Sequence, residues 1–388
     1  MKKIKIKIQP GKIELFAHSG MRLIEILNQA NVPVNFPCGG KGNCGKCKVI
    51  VSPKDTKLSS NEKKWLTHSE LNQGIRLACQ YFIHQPCIIT IPKFLQSDLQ
   101  PSSKNNKIRS HFLDNLNQFN LYHGVQKIYL QLNIPHIKDQ KDDWARVFSA
   151  LQDQLPSVKR QQKVPGDLLE KLSALLRNNH FGITVTLFNN QIINFEGGDT
   201  HREIYGVAFD IGTTTMAGYL LQLKPVRELG VLAQTNPQSK YGYDIISRIG
   251  FTVNNKDGSS QIQKEIISAF NEMIFSLSGK ANIDFRKISL TVFVGNTCMQ
   301  HLLWRLPVQY LAVAPYIPVI RQGMLNEAGE LADYCLPAHM PVYTAPAVSA
   351  YIGGDVIADL IDCSWWKKKG NVLLVDLGTN GEIVLKTQ

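Results

Sequence analysis

Cysteine is the residue type placed least evenly in this chain. Five of the eight cysteines lie between positions 38 and 87, and clustered thiols without a signal for export point to a metal or redox site rather than to crosslinks. Four of them fall in a pattern that inorganic iron can use. Cys38, Cys44 and Cys47 stand in PCGGKGNCGKC with five and then two residues between them, and Cys79 follows about thirty residues on, in RLACQ, on an expected strand. Three thiolates on a glycine-rich loop and a fourth from a distant strand are the ligand set of a [2Fe–2S] cluster. Gly39, Gly40, Gly42 and Gly45 let the backbone fold tightly around such a group and turn amide hydrogens toward its sulfurs, which stabilises the reduced form. Cys44-x2-Cys47 alone would also serve zinc, but structural zinc sites usually combine two short pairs, and Cys38 and Cys79 are not so paired. Cys87 reads as a packed thiol. Cys298, Cys335 and Cys363 stand singly and receive no role.

A second pattern occurs twice, 166 residues apart, as YGVAFDIGTTT at 205–215 and NVLLVDLGTNGE at 371–382. In each, an apolar strand ends in an aspartate, a glycine and then hydroxyl or amide residues. A carboxylate at the end of a buried strand can hold a hydrated magnesium ion, while the following turn cradles phosphate oxygens with its amides and side chains. Asp210 with Gly212, Thr213, Thr214 and Thr215 forms one such jaw, and Asp376 with Gly378, Thr379, Asn380 and Gly381 the other. One copy alone would read equally well as a plain hairpin; two copies on matching strands favour a nucleotide site. The glycine-rich Walker loop is absent. Asp355, after two glycines, reads as either a cleft residue or a loop cap, and His301 as a packed core histidine. Trp365-Trp366 before three lysines reads as a helix end.

These groups need positioning elements, and 388 residues with 44% apolar content supply two or three domains with buried cores. Residues 1–95 alternate strand and helix signals: Lys3–Ile8, Lys12–Phe16, a helix over Arg22–Ala30, then strands at Lys48–Val51, around Leu77–Ile83 and at Cys87–Ile91. Residues 96–120 begin with the polar run QSDLQPSSKNNKIRS and read as a linker. Residues 121–203 read as an α+β middle domain without visible chemistry, with helices over Asp143–Gln154 and Gly166–Asn178. Residues 204–388 carry the two aspartate turns. No uninterrupted apolar run is long enough to span a membrane, and the N-terminus alternates Ile and Lys where a signal peptide is continuously apolar, so a cytoplasmic protein without membrane contact is expected. Of the net charge of +12, residues 1–95 hold most, with 15 Lys/Arg against 5 Asp/Glu. Such a surface would steer an acidic protein partner at a rate that falls with salt.

Residues 1–95 resemble a ferredoxin-type β-grasp domain, of the adrenodoxin and reductase-fused branch by its five-residue spacing, and the resemblance assigns Cys38, Cys44, Cys47 and Cys79 as ligands. The aspartate turns resemble the two phosphate elements of the actin, hexokinase and heat-shock ATPase superfamily. With TNPQSKYGYDIISRI at 235–249, FVGNTCMQHLL at 293–303 and APAVSAYIGGD at 345–355, the whole chain looks like the reductive activators of corrinoid-dependent methyltransferases. That resemblance implies an α+β multidomain fold: a β-grasp ferredoxin-like domain, an α+β middle domain and an incomplete actin-like (ribonuclease H-like) α/β domain. It implies a [2Fe–2S] cluster and Mg-ATP as cofactors, with Asp210 and Asp376 at the nucleotide. The implied activity is ATP-dependent delivery of single electrons to a cobalt(II) corrinoid, with ATPase activity an open expectation. The implied partners are a corrinoid protein or its methyltransferase and an upstream electron donor, without nucleic acid; a dimer is left open.

Relatives of that family continue beyond the point that corresponds to Gln388, through a glycine-rich element that grips adenosine, so the chain is expected to be C-terminally truncated with its last strand, Glu382–Lys386, unpaired. The alternative reading is a simple [2Fe–2S] electron carrier with a non-functional nucleotide domain. A ferredoxin fused to a flavin reductase would need a flavin-binding strand and a nicotinamide loop, and neither is found.

Overall fold

The computed structural model describes residues 3–9, 13–30, 32, 34, 40, 42, 44–53, 57–92, 124–159, 164–242, 244–378 and 381–387. Cys38, Gly39, Thr379, Asn380 and the stretch read as the 96–120 linker lie outside the described residues.

Strand β1 (Lys3–Gln9) is KIKIKIQ, and its alternation sends Ile4, Ile6 and Ile8 into a core and the lysines to solvent. It pairs antiparallel with β2 (Ile13–His18) and parallel with β5 (Cys87–Thr90). Through β3 (Lys48–Ser52) and β4 (Ile75–Leu77) the sheet runs in the order β2-β1-β5-β3-β4. Helix α1 (Leu23–Gln29) lays Leu23, Ile24, Ile26 and Leu27 on that sheet, giving the β-grasp arrangement. Two short helices, α2 (Ser60–Trp65) and α3 (His68–Asn72), each start in a reciprocal cap, Ser59 with Glu62 and Thr67 with Glu70. The strand expected around Leu77–Ile83 stops at Leu77. There the Gln80 N–H donates to the Leu77 carbonyl at 2.8 Å, which turns the chain, and only an isolated bridge between Arg22 and Phe82 follows. Cys79 therefore sits in a turn and not on a strand.

In the next unit β6 (Val125–Gln131), β7 (Gly182–Phe188) and β8 (Gln191–Gly197) form an antiparallel sheet. Helices α4 (Asp143–Gln154) and α5 (Gly166–Asn178) bury Val147, Leu151, Leu168, Leu172 and Leu176 in its core, residues that recur every fourth position as one helix face requires.

A six-stranded sheet follows. Strands β9 (Tyr205–Ile211), β10 (Thr215–Leu223) and β11 (Val226–Thr235) are antiparallel. Strand β12 (Ile288–Gly295) then joins β9 in parallel, and β14 (Pro341–Thr344) joins β12 in parallel, with β13 (Met324–Glu327) at the edge. Three antiparallel strands continued by parallel ones give the ribonuclease H-like order expected of an actin-like half. Helix α6 (Ile245–Asn254) and the long α7 (Gly258–Ala281) precede β12, and α8 (Thr297–Leu303) follows it. Phe209, Phe270 and Phe293 meet at ring-centroid distances of 4.5, 5.5 and 4.8 Å and tie β9, α7 and β12 into one core. Beyond α9 (Gly354–Asp362), β15 (Val372–Leu377) and β16 (Gly381–Lys386) make a separate two-stranded sheet. The last strand is thus paired along its length, from Leu377 opposite Gly381 to Val372 opposite Lys386, and is not unpaired as expected, because it runs antiparallel to β15, the strand just before it. Among the described residues no helix is long and apolar enough to cross a membrane.

Candidate functional site

The Cys47 and Cys79 sulfurs are 3.3 Å apart and buried. Register explains it: Cys47 precedes β3, Cys79 lies two residues past the end of β4, and the two strands pair with Lys48 opposite Leu77. The Ala78 N–H closes the junction by donating to the Cys47 carbonyl at 2.9 Å. The sulfurs stand well beyond a disulfide bond of about 2.05 Å. Two thiolates this close cannot both stay charged without a counter-cation. Hydrogen bonds from Cys47, the Gln80 side chain and the Gly42 backbone bring the Cys79 thiol down to about 7, whereas Cys47, bonded to Cys79 and then desolvated, is driven far above the ordinary thiol range. Ferric iron would supply the missing positive charge, so these donors fit a cluster. Cys44 is half-buried, and its charge is felt at Cys47. Gly42 has φ +79°, a conformation that favours glycine, and a Cβ there would push aside the amide ends of Asn61 and Gln80, 2.5 and 2.7 Å away. Cys87 is packed into the same core, its thiol pushed up to about 11 by burial.

The two aspartate turns meet across a cleft. Asp210 and Asp376 each stand one residue before the end of their strand, opposite Ala217 and Glu382 of the antiparallel partner. A side chain at Gly212 would collide with the Thr215 carbonyl oxygen, which fixes glycine at the first turn. Asp210 is reached by solvent but flanked by protein. That enclosure first, and then the charges of Asp355, Asp359 and Asp376, raise its carboxyl to about 7. Asp359 is raised to about 6 by burial and by Asp376 and Asp355; Asp355 and Glu382 are raised too, burial again leading. Asp355 and Asp359, four residues apart on α9, share a helix face. Among the described residues no three such side chains form a ready-made metal cage, and magnesium usually keeps several of its waters. Beside the carboxylates a cavity of about 430 Å³ opens between Thr213, Ile246 and Tyr351 on one side and Gly381, Glu382 and Val384 on the other, a volume within the range of small-molecule sites. Gly378 closes β15, while Thr214 and Thr215 carry the first turn into β10.

Several side chains around these sites carry no motif. The first turn is gripped by Asn236, Arg248 and Asn296, the last through Nδ2 to Thr213 Oγ1 at 3.0 Å. Asp359 joins the cleft; its only signal is the four-residue step from Asp355. At the thiol pair Gln80 Nε2 points at Cys79 Sγ at 3.7 Å, and Asn61 Nδ2 donates to Gln80 Oε1 at 3.3 Å. His301 is core: its Nδ1 bonds the Thr297 carbonyl at 2.8 Å and its Nε2 accepts the Val319 N–H at 3.1 Å.

Comparison with known proteins agrees with this anatomy. Residues 6–84 match the 2Fe-2S iron-sulfur cluster binding domain, residues 114–202 the RACo linker region and residues 205–368 the RACo middle region. The class is thus a [2Fe–2S] ferredoxin-domain redox protein of mixed α+β fold. The corrinoid activation enzyme RamQ of Eubacterium limosum is 27% identical over 368 residues, covering 93% of this chain and 55% of RamQ. The solved structure of a reductive activator for a corrinoid, iron-sulfur protein is 29% identical with a TM-score of 0.60, over 99% of this chain and 61% of the other. By these three regions and this likeness the chain resembles the corrinoid reductive activators, and it spans a little over half the length of those it matches. One component of the Na(+)-translocating NADH-quinone reductase of Chlamydia caviae is 27% identical over 138 residues, 34% of this chain and 32% of that component.

Proposed function

We propose that the chain passes single electrons to a cobalt(II) corrinoid held by a partner protein, returning it to cobalt(I), and that Mg-ATP in the carboxylate cleft drives the transfer. One observation carries the reading: a single chain joins a buried pair of thiols at 3.3 Å to a cleft in which the charge of Asp376 acts on Asp210. A [2Fe–2S] cluster, when bound, stores one electron, at roughly −400 mV in plant-type ferredoxins. Cys44, Cys47 and Cys79, with Cys38 from outside the described residues, would hold it. Gly42 and Gln80 direct hydrogen bonds at the Cys79 sulfur and so favour added negative charge there. Reducing a corrinoid of still lower potential is uphill unless another interaction shifts the equilibrium. A nucleotide can do so only by its differential affinity for two states of the complex. Asp210, Asp376, Asp355 and Asp359 would receive the hydrated magnesium, and the Gly212–Thr215 turn the phosphates.

The test is anaerobic. The iron-loaded chain, a chemical reductant and a cobalt(II) corrinoid protein are mixed with and without Mg-ATP, and the cobalt(I) absorption is followed. Formation that requires Mg-ATP supports the reading. Formation at the same rate without nucleotide would make the chain a simple carrier, and no formation in either arm would overturn both.

A further inference from the structure

The segment 235–249 builds the back wall of the first phosphate turn. Three consecutive carbonyls of that turn are each taken by a donor from this segment. Gly212 accepts from Asn236 Nδ2 at 2.8 Å, Thr213 from the Arg248 guanidinium, and Thr214 from the Asn236 N–H at 2.8 Å. Asn236 and Arg248 are fully buried, so all three carbonyls are drawn to the inner side. In a planar trans peptide the N–H opposes the carbonyl. The amides of Thr213 and Thr215 therefore point away from this wall, and Thr213 lines the cavity.

Arg248 is the charged member of this wall and is itself immobilised. Its Nε donates to the Gly242 carbonyl at 2.9 Å, and its Nη1 to Gln238 Oε1 at 3.3 Å and lies 2.9 Å from Met299 Sδ. Each of these acceptors is neutral. Asp244 is the acid whose charge reaches Arg248, but that carboxylate caps α6 through the Ser247 N–H at 2.7 Å and is not bonded to the guanidinium. Two other buried guanidiniums show what a structural role looks like: Arg76 faces the Glu62 carboxylate at 2.8 Å and Arg146 the Asp139 carboxylate at 2.6 Å. A buried charge with no counter-ion bonded to it is costly. Burial lowers the Arg248 pKa only to about 10, so the charge persists at neutral pH. It lies behind the turn, on the far side from the cavity, where an anion would balance it.

We propose that Arg248 is a positioning residue that sets the Gly212–Thr215 turn as an anion cradle and supplies it with fixed positive charge, its ligand being the phosphate oxygens of a magnesium-bound polyphosphate. This rests on the reading of the cleft as a magnesium–nucleotide site.

The test is calorimetric titration of the iron-loaded chain with Mg-ATP and with magnesium pyrophosphate, which lacks adenosine. Two variants are compared with wild type, and thermal melting confirms that each is folded. Arg248→Met removes the clamp and the charge. Gln238→Glu leaves the Thr213 donor in place but sets a carboxylate against Arg248 Nη1. Both are expected to weaken pyrophosphate and ATP binding roughly tenfold or more. A purely structural arginine predicts the opposite for Gln238→Glu, since a buried charge gains a partner and binding stays as it was. Wild-type affinity in both folded variants overturns the role of Arg248 and leaves the nucleotide reading standing. Wild type that binds neither probe overturns that reading and the inference together. Should Arg248→Met not fold, Gln238→Glu decides alone.

Discussion

Glu62 and Arg76 form a buried ion pair with two bonds, Nε to Oε1 at 2.8 Å and Nη2 to Oε2 at 2.9 Å, and the same carboxylate accepts the N–H groups of Ser59 and Leu77. The pair ties α2 to the strand that leads into Cys79. Burial alone would raise the Glu62 carboxyl, but the bonds from Arg76 and Ser59 outweigh it and hold it below the usual range. Glu62→Gln leaves the guanidinium buried without its counter-charge, at an expected cost of about 3–5 kcal/mol in urea denaturation at pH 7. A depressed carboxyl contributes stability above its unfolded pKa and loses it as pH falls through the folded value. Wild type should therefore lose part of its margin over the variant in acid; a margin independent of pH would show that the ionisation of Glu62 does not contribute to it.

Serine at Cys47 or Cys79 is expected to abolish iron binding, whereas serine at Cys87 should leave it intact, since that thiol is packed among apolar side chains. Iron and sulfide analysis with a visible spectrum on anaerobically purified protein checks this. Wild type should hold about two irons per chain. Zinc without colour, or a brown Cys47→Ser sample, would sink the cluster assignment.

The legibility of these sites in the sequence follows from how each is built. The isoleucines of KIKIKIQ and the two Asp-Gly turns repeat at fixed steps, so their strands and hairpins can be read directly. Cys79 reads as a strand residue because its neighbours are apolar; a single backbone bond, Gln80 to Leu77, makes it a turn. The grip of Asn236 and Arg248 on the Gly212–Thr215 turn links side chains to distant carbonyls, and such bonds impose no period on the sequence. Asp359 carries only the four-residue step from Asp355 for a related reason, since the charge of Asp376 that acts on it is supplied by a strand after the helix.

Gln80 gives a redox prediction. Its amide points at the Cys79 sulfur at 3.7 Å and is steadied by Asn61. An N–H directed at a ligand sulfur stabilises the more negative, reduced state. Gln80→Leu should lower the midpoint potential by about 20–40 mV, the equivalent of one weak bond in a one-electron couple. Potentiometric titration followed by electron paramagnetic resonance measures it. An unchanged or higher midpoint would remove Gln80 from any tuning role.

Asp210 makes the cleft pH-sensitive, and the sign follows from the direction of its shift. Its carboxyl is raised to about 7 by enclosure and by the charges of Asp355, Asp359 and Asp376, so the folded chain holds the proton more tightly than the unfolded chain does. That contribution to stability is complete below the ordinary carboxylate value and is lost as pH rises through about 7. Without magnesium, melting temperature should therefore fall between pH 5 and pH 8 by more in wild type than in Asp210→Asn, with a difference of about 2–4 °C if one kcal/mol is at stake. Magnesium at pH 8 should restore wild type by pairing with the ionised carboxylates, and should do less for the variant. Equal losses in the two proteins, with no response to magnesium, would mean that the four carboxylates do not act as one cation-seeking group.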